Sequence, residues 1–164
     1  MKKQNFITLI LIGIIFIFSI NAQAQSTDNN AGRLSVINEY GPFFGHNTVG
    51  FTGVFVVGYS TPSDKDMFGL GIAYDVGTNL TDGIPLFVNY RHAFYPDRKV
   101  SPIVNMAMGV RLNLSDPVDA FGLYSTMASG FQSGIFSLTG GIFLKSLGTR
   151  ELYPGLEVKC GFRL

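Results

Sequence analysis

Residues that form disulfides, metal sites and charged surfaces are scarce in this chain of 164 residues. It has one cysteine, two histidines and no tryptophan. Cys160 alone cannot form an internal disulfide, and the spacing of Cys160, His46 and His92 matches no zinc or iron–sulfur site. We therefore expect a fold without disulfides, metals or other cofactors.

Charged residues make up 14% of the chain and hydrophobic residues 46%. An average soluble domain has about 25% charged residues, so this chain has little charge with which to cover a water-exposed surface. There are 12 basic and 11 acidic residues, and two of the basic ones, Lys2 and Lys3, lie at the extreme N-terminus. The remaining charge is close to neutral, so we expect no nucleic-acid partner.

Long apolar runs are absent except at the N-terminus, where one extends from Phe6 to Ile20 after Lys2 and Lys3. It ends at Ala22-Gln23-Ala24, an A-x-A processing site, and it is shorter than the roughly 20 residues of a membrane-spanning helix. We predict a signal peptide over residues 1–24 and export through the Sec pathway. No cysteine lies at the predicted processing site, so a lipoprotein anchor is not expected.

The rest of the chain divides into a short polar segment and one domain. Residues 25–32 are polar, and we predict that they form a disordered lead-in. Residues 33–164 have the length of one domain. Their many apolar residues are dispersed by alternation with small or polar ones.

This alternation is clearest between residues 68 and 76. The even positions are large and mostly apolar: Phe68, Leu70, Ile72, Tyr74 and Val76. The odd positions between them are small or charged: Gly69, Gly71, Ala73 and Asp75. Residues 100–113 and 156–164 repeat the pattern. Successive side chains of a strand point to opposite faces, so each segment is predicted to be a strand with one oily and one polar side.

Eight such segments are separated by short turns. The segment 48–60 is ambiguous because Val54 and Val56 make both of its faces apolar, and the segments around 33–40 and 119–131 alternate least. Turn residues such as Thr61-Pro62-Ser63-Asp64 interrupt the pattern, and short connections join neighbouring antiparallel strands. The predicted strands are 33–43, 48–60, 67–77, 83–94, 99–113, 119–131, 133–146 and 152–164.

Alternation does not say which face points inward, since a soluble barrel and a membrane barrel place the oily face oppositely. Three features favour the membrane. The segments are long enough for a tilted crossing of about 9 to 11 residues, and the other face is rich in Gly, Ala and Ser, which fit a narrow interior. Aromatic residues fall near predicted strand ends, where interfacial girdles lie: Tyr40, Tyr59, Phe68, Tyr90, Phe94, Tyr95, Tyr153 and Phe162. We predict a closed, antiparallel, up-and-down transmembrane β-barrel of about eight strands.

The end of the chain adds a resemblance to a known group. Alternation continues from Leu156 to Leu164, with Phe162 next to the end, and the fifth strand begins near Ser101-Pro102. Together with the signal peptide and the eight hairpin-linked strands, these features resemble the small OmpA-like and OmpX-like outer-membrane β-barrels of bacteria. The resemblance implies an outer-membrane location, contact with outer-membrane lipid, and recognition of the C-terminal strand by the barrel-insertion machinery.

The polar face of the predicted strands carries both signs of charge. Charges in a low-dielectric interior must be paired, so we expect a structural plug of ion pairs and hydrogen bonds, with a small gated passage as the alternative. Eight strands enclose an interior that side chains just fill. The residues predicted for this lumen cluster are Asp75, Asn89, Arg91, Asn105, Arg111, Lys145, Glu157, Lys159 and Arg163.

Two other function classes compete with a non-enzymatic membrane barrel. A soluble periplasmic barrel that binds an apolar ligand requires the oily face to point inward. A lipid-modifying membrane enzyme requires a histidine that activates an attacking oxygen. His46 lies in a predicted loop and His92 near a strand end without a nearby serine, so we expect no catalysis. Four outer loops are predicted, near residues 44–47, 78–82, 114–118 and 147–151, with the N-terminus on the periplasmic side.

Overall fold

The computed structural model describes residues 32–45, 47–78, 82–114, 120–147 and 151–164. The predicted signal peptide, all of the lead-in except Gly32, and residues within each of the four predicted outer loops lie outside these ranges. No helix of the described residues is long and apolar enough to span a membrane.

Eight strands follow one another along the chain. Their bounds agree with the alternation to within three residues at every end. They are β1 (Arg33–Gly45), β2 (Thr48–Ser60), β3 (Asp66–Gly77), β4 (Gly83–Ala93), β5 (Ser101–Asn113), β6 (Phe121–Ser133), β7 (Phe136–Leu147) and β8 (Glu151–Arg163).

The strands form one closed barrel in chain order, in which every strand pairs antiparallel with its neighbours and β1 pairs with β8. The predicted fold class, a closed up-and-down barrel of eight antiparallel strands, is confirmed. The β1–β8 register runs from Ile37 opposite Arg163 to Tyr40 opposite Cys160 and resumes at Phe43 opposite Glu157. The intervening β1 residues include Pro42, which has no N–H to donate to a ladder.

The barrel has two ends that differ in their connections. We call one the turn end, which carries Arg33, Leu164 and the connections 61–65, 94–100 and 134–135. The other is the loop end, which carries the four predicted outer loops. At the turn end β6 and β7 join through Gly134 and Ile135, and Gly134 has a φ of 57°. The sequence interpretation placed this break near residue 132, because a single Gly in Gln-Ser-Gly-Ile is a weaker turn signal than the Pro–Asp clusters elsewhere.

The oily face of the strands points outward. The even side chains of β3 are exposed, with Leu70 at 72% and Phe68 at 61%, whereas the odd residues Ala73 and Asp75 are buried. β5 and β8 follow the same rule. The ambiguous strand β2 directs Val54 and Val56 inward, where they join an apolar cluster of the interior. The lumen is therefore lined partly by apolar and partly by charged side chains.

Aromatic side chains collect around the turn end of the outer surface. Phe68 stacks on Tyr90 with ring centroids 4.8 Å apart, and Phe136 meets Phe162 edge-on at 5.9 Å. Tyr59 lies opposite Phe68 in the β2–β3 register and is also exposed. The aromatic rings thus form a band near one rim, next to the more aliphatic middle of the barrel.

Candidate functional site

The candidate site is the polar interior of the barrel. All nine residues predicted for the lumen cluster lie there, and none is more than 5% exposed. They come from β3, β4, β5, β7 and β8, since strand alternation turns every second side chain inward. The structure divides them into clusters at different heights, so they do not meet at one point.

The cluster nearest the loop end is built around Asp75. The Asp75 carboxylate lies 3.0 Å from Nζ of Lys145 and 3.5 Å from Nε of Arg111, and all three side chains are fully buried. Arg111 also donates to the side-chain oxygen of Asn113. Because the three charged residues belong to β3, β5 and β7, which are not neighbours in the barrel, the ion pairs run across the lumen.

Aromatic rings surround the ammonium group of Lys145. Its Nζ lies 4.1 Å from the ring centroid of Phe43, 4.7 Å from that of Phe143 and 5.7 Å from that of Tyr124. A cation near aromatic faces is attracted by their negative quadrupole, and more strongly so when water is excluded. Phe43 and Phe143 pack edge-on at 5.5 Å, so the rings also fill the lumen at this height.

A second ion pair lies closer to the turn end. Nη1 of Arg91 donates to Oε1 of Glu39 at 3.0 Å, and both side chains are almost completely buried. The Ser137 hydroxyl reaches the same oxygen at 3.5 Å. This pair joins β1 to β4 across the barrel, and Ser137 adds β7.

Two further polar pairs link residues that share a strand or neighbouring strands. Glu157 and Lys159 are two positions apart on β8, so both point inward, and Nζ of Lys159 lies 2.6 Å from Oε1 of Glu157. On β4 and β5, the amide nitrogen of Asn89 donates to Oδ1 of Asn105 at 2.8 Å. These pairs lie within one strand or between neighbouring strands, so they do not cross the lumen.

A network of polar side chains around Asp64 lies at the turn end of the lumen. Nη2 of Arg163 donates to Asp64 at 2.7 Å and to the Ser60 hydroxyl at 2.7 Å, and Nη2 of Arg33 lies 2.5 Å from Asp64. Ser35 shares a hydrogen bond of 2.7 Å with Ser60. Asp64 lies in the β2–β3 turn with a φ of 58°, so the turn places a carboxylate between the first residue of β1 and the last residue of β8.

Sequence reasoning missed Glu39 and Asp64. Glu39 is an odd-numbered residue of β1, like the buried Phe43. Both odd and even residues of this strand are buried, for example Ile37 and Val36, so the alternation is hard to see there. Asp64 was interpreted only as a turn former. No signal in the sequence shows that it meets Arg163, because they are 99 positions apart and meet only when the barrel closes.

His92, the one histidine among the described residues, takes no part in the lumen. His46 lies outside the described residues. His92 faces outward, where its Nδ1 lies 2.8 Å from Oδ1 of Asp66, so it shares no face with the lumen cluster. Cys160 is exposed on the outer surface, and no group of His, Cys, Asp or Glu residues in the described part of the chain could hold a metal ion.

Known proteins are similar to this chain in fold but not in sequence. No protein-family model matches the chain, and no curated protein is similar to it in sequence. The N-terminal β-barrel domain of OprF from Pseudomonas aeruginosa is similar in structure, with 15% identity, a TM-score of 0.51, and coverage of 81% of this chain and 99% of that chain. A de novo designed transmembrane β-barrel matches with 11% identity, a TM-score of 0.48, and coverage of 79% and 95%. The chain thus shares its fold with the N-terminal β-barrel domain of OprF.

Proposed function

We propose that this chain is a non-enzymatic β-barrel protein of a bacterial outer membrane, with a structural or envelope-maintenance role and a lumen closed by its own side chains. One observation carries the proposal. Apolar side chains cover the outside of a closed barrel, while the buried charges lie inside it. A soluble barrel that binds an apolar ligand needs the reverse arrangement.

Backbone chemistry supports a membrane location. In hydrocarbon an unpaired N–H or C=O group costs several kcal/mol, so a sheet can cross only if no edge is left open. Here the pairing of β1 with β8 closes the sheet, and the strands have 11 to 13 residues, enough for a tilted crossing. The exposed aromatic band at the turn end has the composition of an interfacial girdle.

Side-chain packing supports a closed lumen. The largest fully buried side chains include Arg91, Arg111, Tyr124, Phe43 and Lys145, and all of them project into the interior. Opening a water-filled passage requires several of these side chains to separate from their partners. We propose that the barrel conducts no ions in its resting state.

The connections at the loop end support a structural role. β1 ends at Gly45 and β2 begins at Thr48, and β7 ends at Leu147 and β8 begins at Glu151. The other two connections are also short, and such loops present little surface for a protein partner. The partners that we propose are therefore outer-membrane lipid and, during assembly, the barrel-insertion machinery acting on β8 after Sec export.

Cell fractionation with a heat-modifiability gel tests the location. We expect the protein in the outer-membrane fraction, with a mobility that changes on boiling. Recovery in the soluble periplasmic extract would contradict the location. Planar-bilayer recording tests the closed lumen separately, and a steady conductance of the wild-type protein would contradict that part alone.

A charge on the outer face tests the orientation of the strands. Leu70→Arg places a cation in the lipid-facing middle of β3, where it should cost about 2 to 4 kcal/mol of folding free energy. Ile135→Arg, in an exposed turn at the barrel rim, is the control and should cost about 0 to 1 kcal/mol. Urea unfolding in lipid vesicles measures both. Equal tolerance would mean that lipid does not contact Leu70.

The non-enzymatic part of the proposal has its own test. Alanine at His46 and His92 removes both imidazoles of the chain. We expect the composition of the envelope lipids to stay the same as in cells that carry the wild-type protein. A lost or accumulated lipid species would indicate catalysis.

A further inference from the structure

A polar cluster interrupts the oily outer face at the turn end. Oδ1 of Asp66 accepts a hydrogen bond from the Tyr90 hydroxyl at 2.7 Å and lies 2.8 Å from Nδ1 of His92. Asp66 is an even-numbered residue of β3, like Phe68 and Leu70, which are the most exposed side chains of this strand. The cluster therefore lies on the lipid-facing surface. Its members meet because Asp66 lies opposite His92, and Phe68 opposite Tyr90, in the β3–β4 register.

The cluster leaves one face of the carboxylate available. Both neighbouring donors converge on Oδ1, and among the residues that the structure describes no side chain donates to Oδ2 of Asp66. The side chains of Asp66 and His92 are each 31% exposed. A fixed carboxylate with an open oxygen therefore lies just outside the aromatic rings of Phe68 and Tyr90.

Two exposed basic residues lie at the same rim, Lys65 in the β2–β3 turn and Arg98 in the β4–β5 turn. Lys65 precedes Asp66 and is exposed, and its carbonyl accepts a hydrogen bond of 2.7 Å from the N–H of Ala93, which fastens the β2–β3 turn to the end of β4. The next turn carries Arg98, whose guanidinium lies 4.5 Å from the ring centroid of Tyr95. The same rim therefore presents an anion and two exposed cations toward the lipid headgroups.

We propose that this rim binds the headgroup of a zwitterionic phospholipid that carries a primary ammonium, as phosphatidylethanolamine does. The ammonium donates to Oδ2 of Asp66, and Lys65 and Arg98 bind the phosphate. The acyl chains lie along Phe68 and Leu70. This inference rests on the proposed membrane location.

The carboxylate makes the site selective among phospholipids. A quaternary choline group has no N–H to donate to Asp66, and an anionic headgroup without an amine is repelled by it. His92 and Tyr90 hold the carboxylate in place, so less freedom is lost when the lipid binds. The expected order of preference is ethanolamine over choline and glycerol headgroups.

Lipid retention by the full protein provides the test. The protein is reconstituted into nanodiscs with equal amounts of phosphatidylethanolamine, phosphatidylcholine and phosphatidylglycerol, and the lipids that remain bound are identified by native mass spectrometry. We expect phosphatidylethanolamine to be enriched among the bound lipids. Asp66→Asn should lower that enrichment roughly two- to fivefold, as expected for loss of an exposed charge pair. Asp97→Asn, in the turn after β4, is the matched control and should leave it unchanged.

A second measurement needs only the wild-type protein. The preference should fall stepwise along the mono-, di- and trimethylated ethanolamine lipids, because each methyl group removes one N–H donor. Glycerophosphoethanolamine in solution should not displace the lipid, since it lacks the acyl chains that contact Phe68 and Leu70. Bound lipids in the proportions of the bilayer, or an unchanged preference in Asp66→Asn, would overturn the inference. Failure to insert into nanodiscs would overturn the membrane proposal itself.

Discussion

Two carboxylates of this barrel each form ion pairs with two basic side chains, but in different surroundings. Asp75 meets Arg111 and Lys145 in the lumen, where all three side chains are 0% exposed. Asp64 meets Arg33 and Arg163 at the turn end, where Asp64 is 31% exposed. The two clusters have similar contacts, but only in the Asp75 cluster are all three side chains completely buried. Burial should therefore decide how much each cluster contributes to stability.

Removing the charge of Asp75 should have the largest effect. Asp75→Asn keeps the shape of the side chain but leaves Arg111 and Lys145 buried together without the carboxylate that contacts both of them. Leaving a buried charge without its partner costs about 3 to 5 kcal/mol. We expect a loss of this size in urea unfolding of the protein in lipid vesicles. A loss below that of Asp64→Asn would show that water reaches the Asp75 cluster.

A double-mutant cycle sharpens the reason for that loss. Lys145→Met removes one of the two cations while retaining an apolar side chain among Phe43, Phe143 and Tyr124. If repulsion between uncompensated cations causes the loss, Asp75→Asn should be less harmful in the Lys145→Met background. We expect a coupling free energy of about 1 to 3 kcal/mol from the four unfolding curves. Additive losses would instead assign the effect of Asp75 to its hydrogen bonds.

Asp64→Asn should have a smaller effect. Asn tolerates the positive φ of this position about as well as Asp, so the change tests charge without adding backbone strain. An exposed ion pair contributes about 0.2 to 1 kcal/mol and is weakened by salt. We expect a loss in this range at low ionic strength that shrinks on addition of salt. The same loss at every salt concentration would show that the Asp64 cluster is shielded from water.

The sequence alone predicts most of the fold. The two clusters show why it does not predict the side-chain contacts inside the barrel. Asp75 shares one face of its strand with Gly71 and Ala73, and the other face is oily, so its inward direction follows from period two. The oily strands and the short turns between them also determine the order of the strands. Which residues contact Asp75 depends on which side chains face each other across the interior of the barrel. No local sequence pattern encodes that arrangement.

Asp64 illustrates a second limit. Its turn is predicted correctly from Thr61-Pro62-Ser63-Asp64, since these residues favour turn dihedrals. Its contact with Arg163 requires the end of β8 to return beside β1, a consequence of barrel closure. The outward cluster of Asp66 and His92 is also a register effect, because the two residues face each other only when β3 and β4 are correctly aligned.

Arg33→Ala should have the smallest effect of the changes considered. The Arg33 side chain is 54% exposed, whereas that of Arg163 is 4% exposed, although both contact Asp64. A long exposed side chain loses rotamer entropy when it pairs, which offsets most of its attraction in water. Arg163 remains to balance Asp64 after the change. We expect a loss below about 0.5 kcal/mol by the same unfolding assay, and a loss as large as that of Asp64→Asn would mean that Arg33, despite its exposure, is the main partner of this carboxylate.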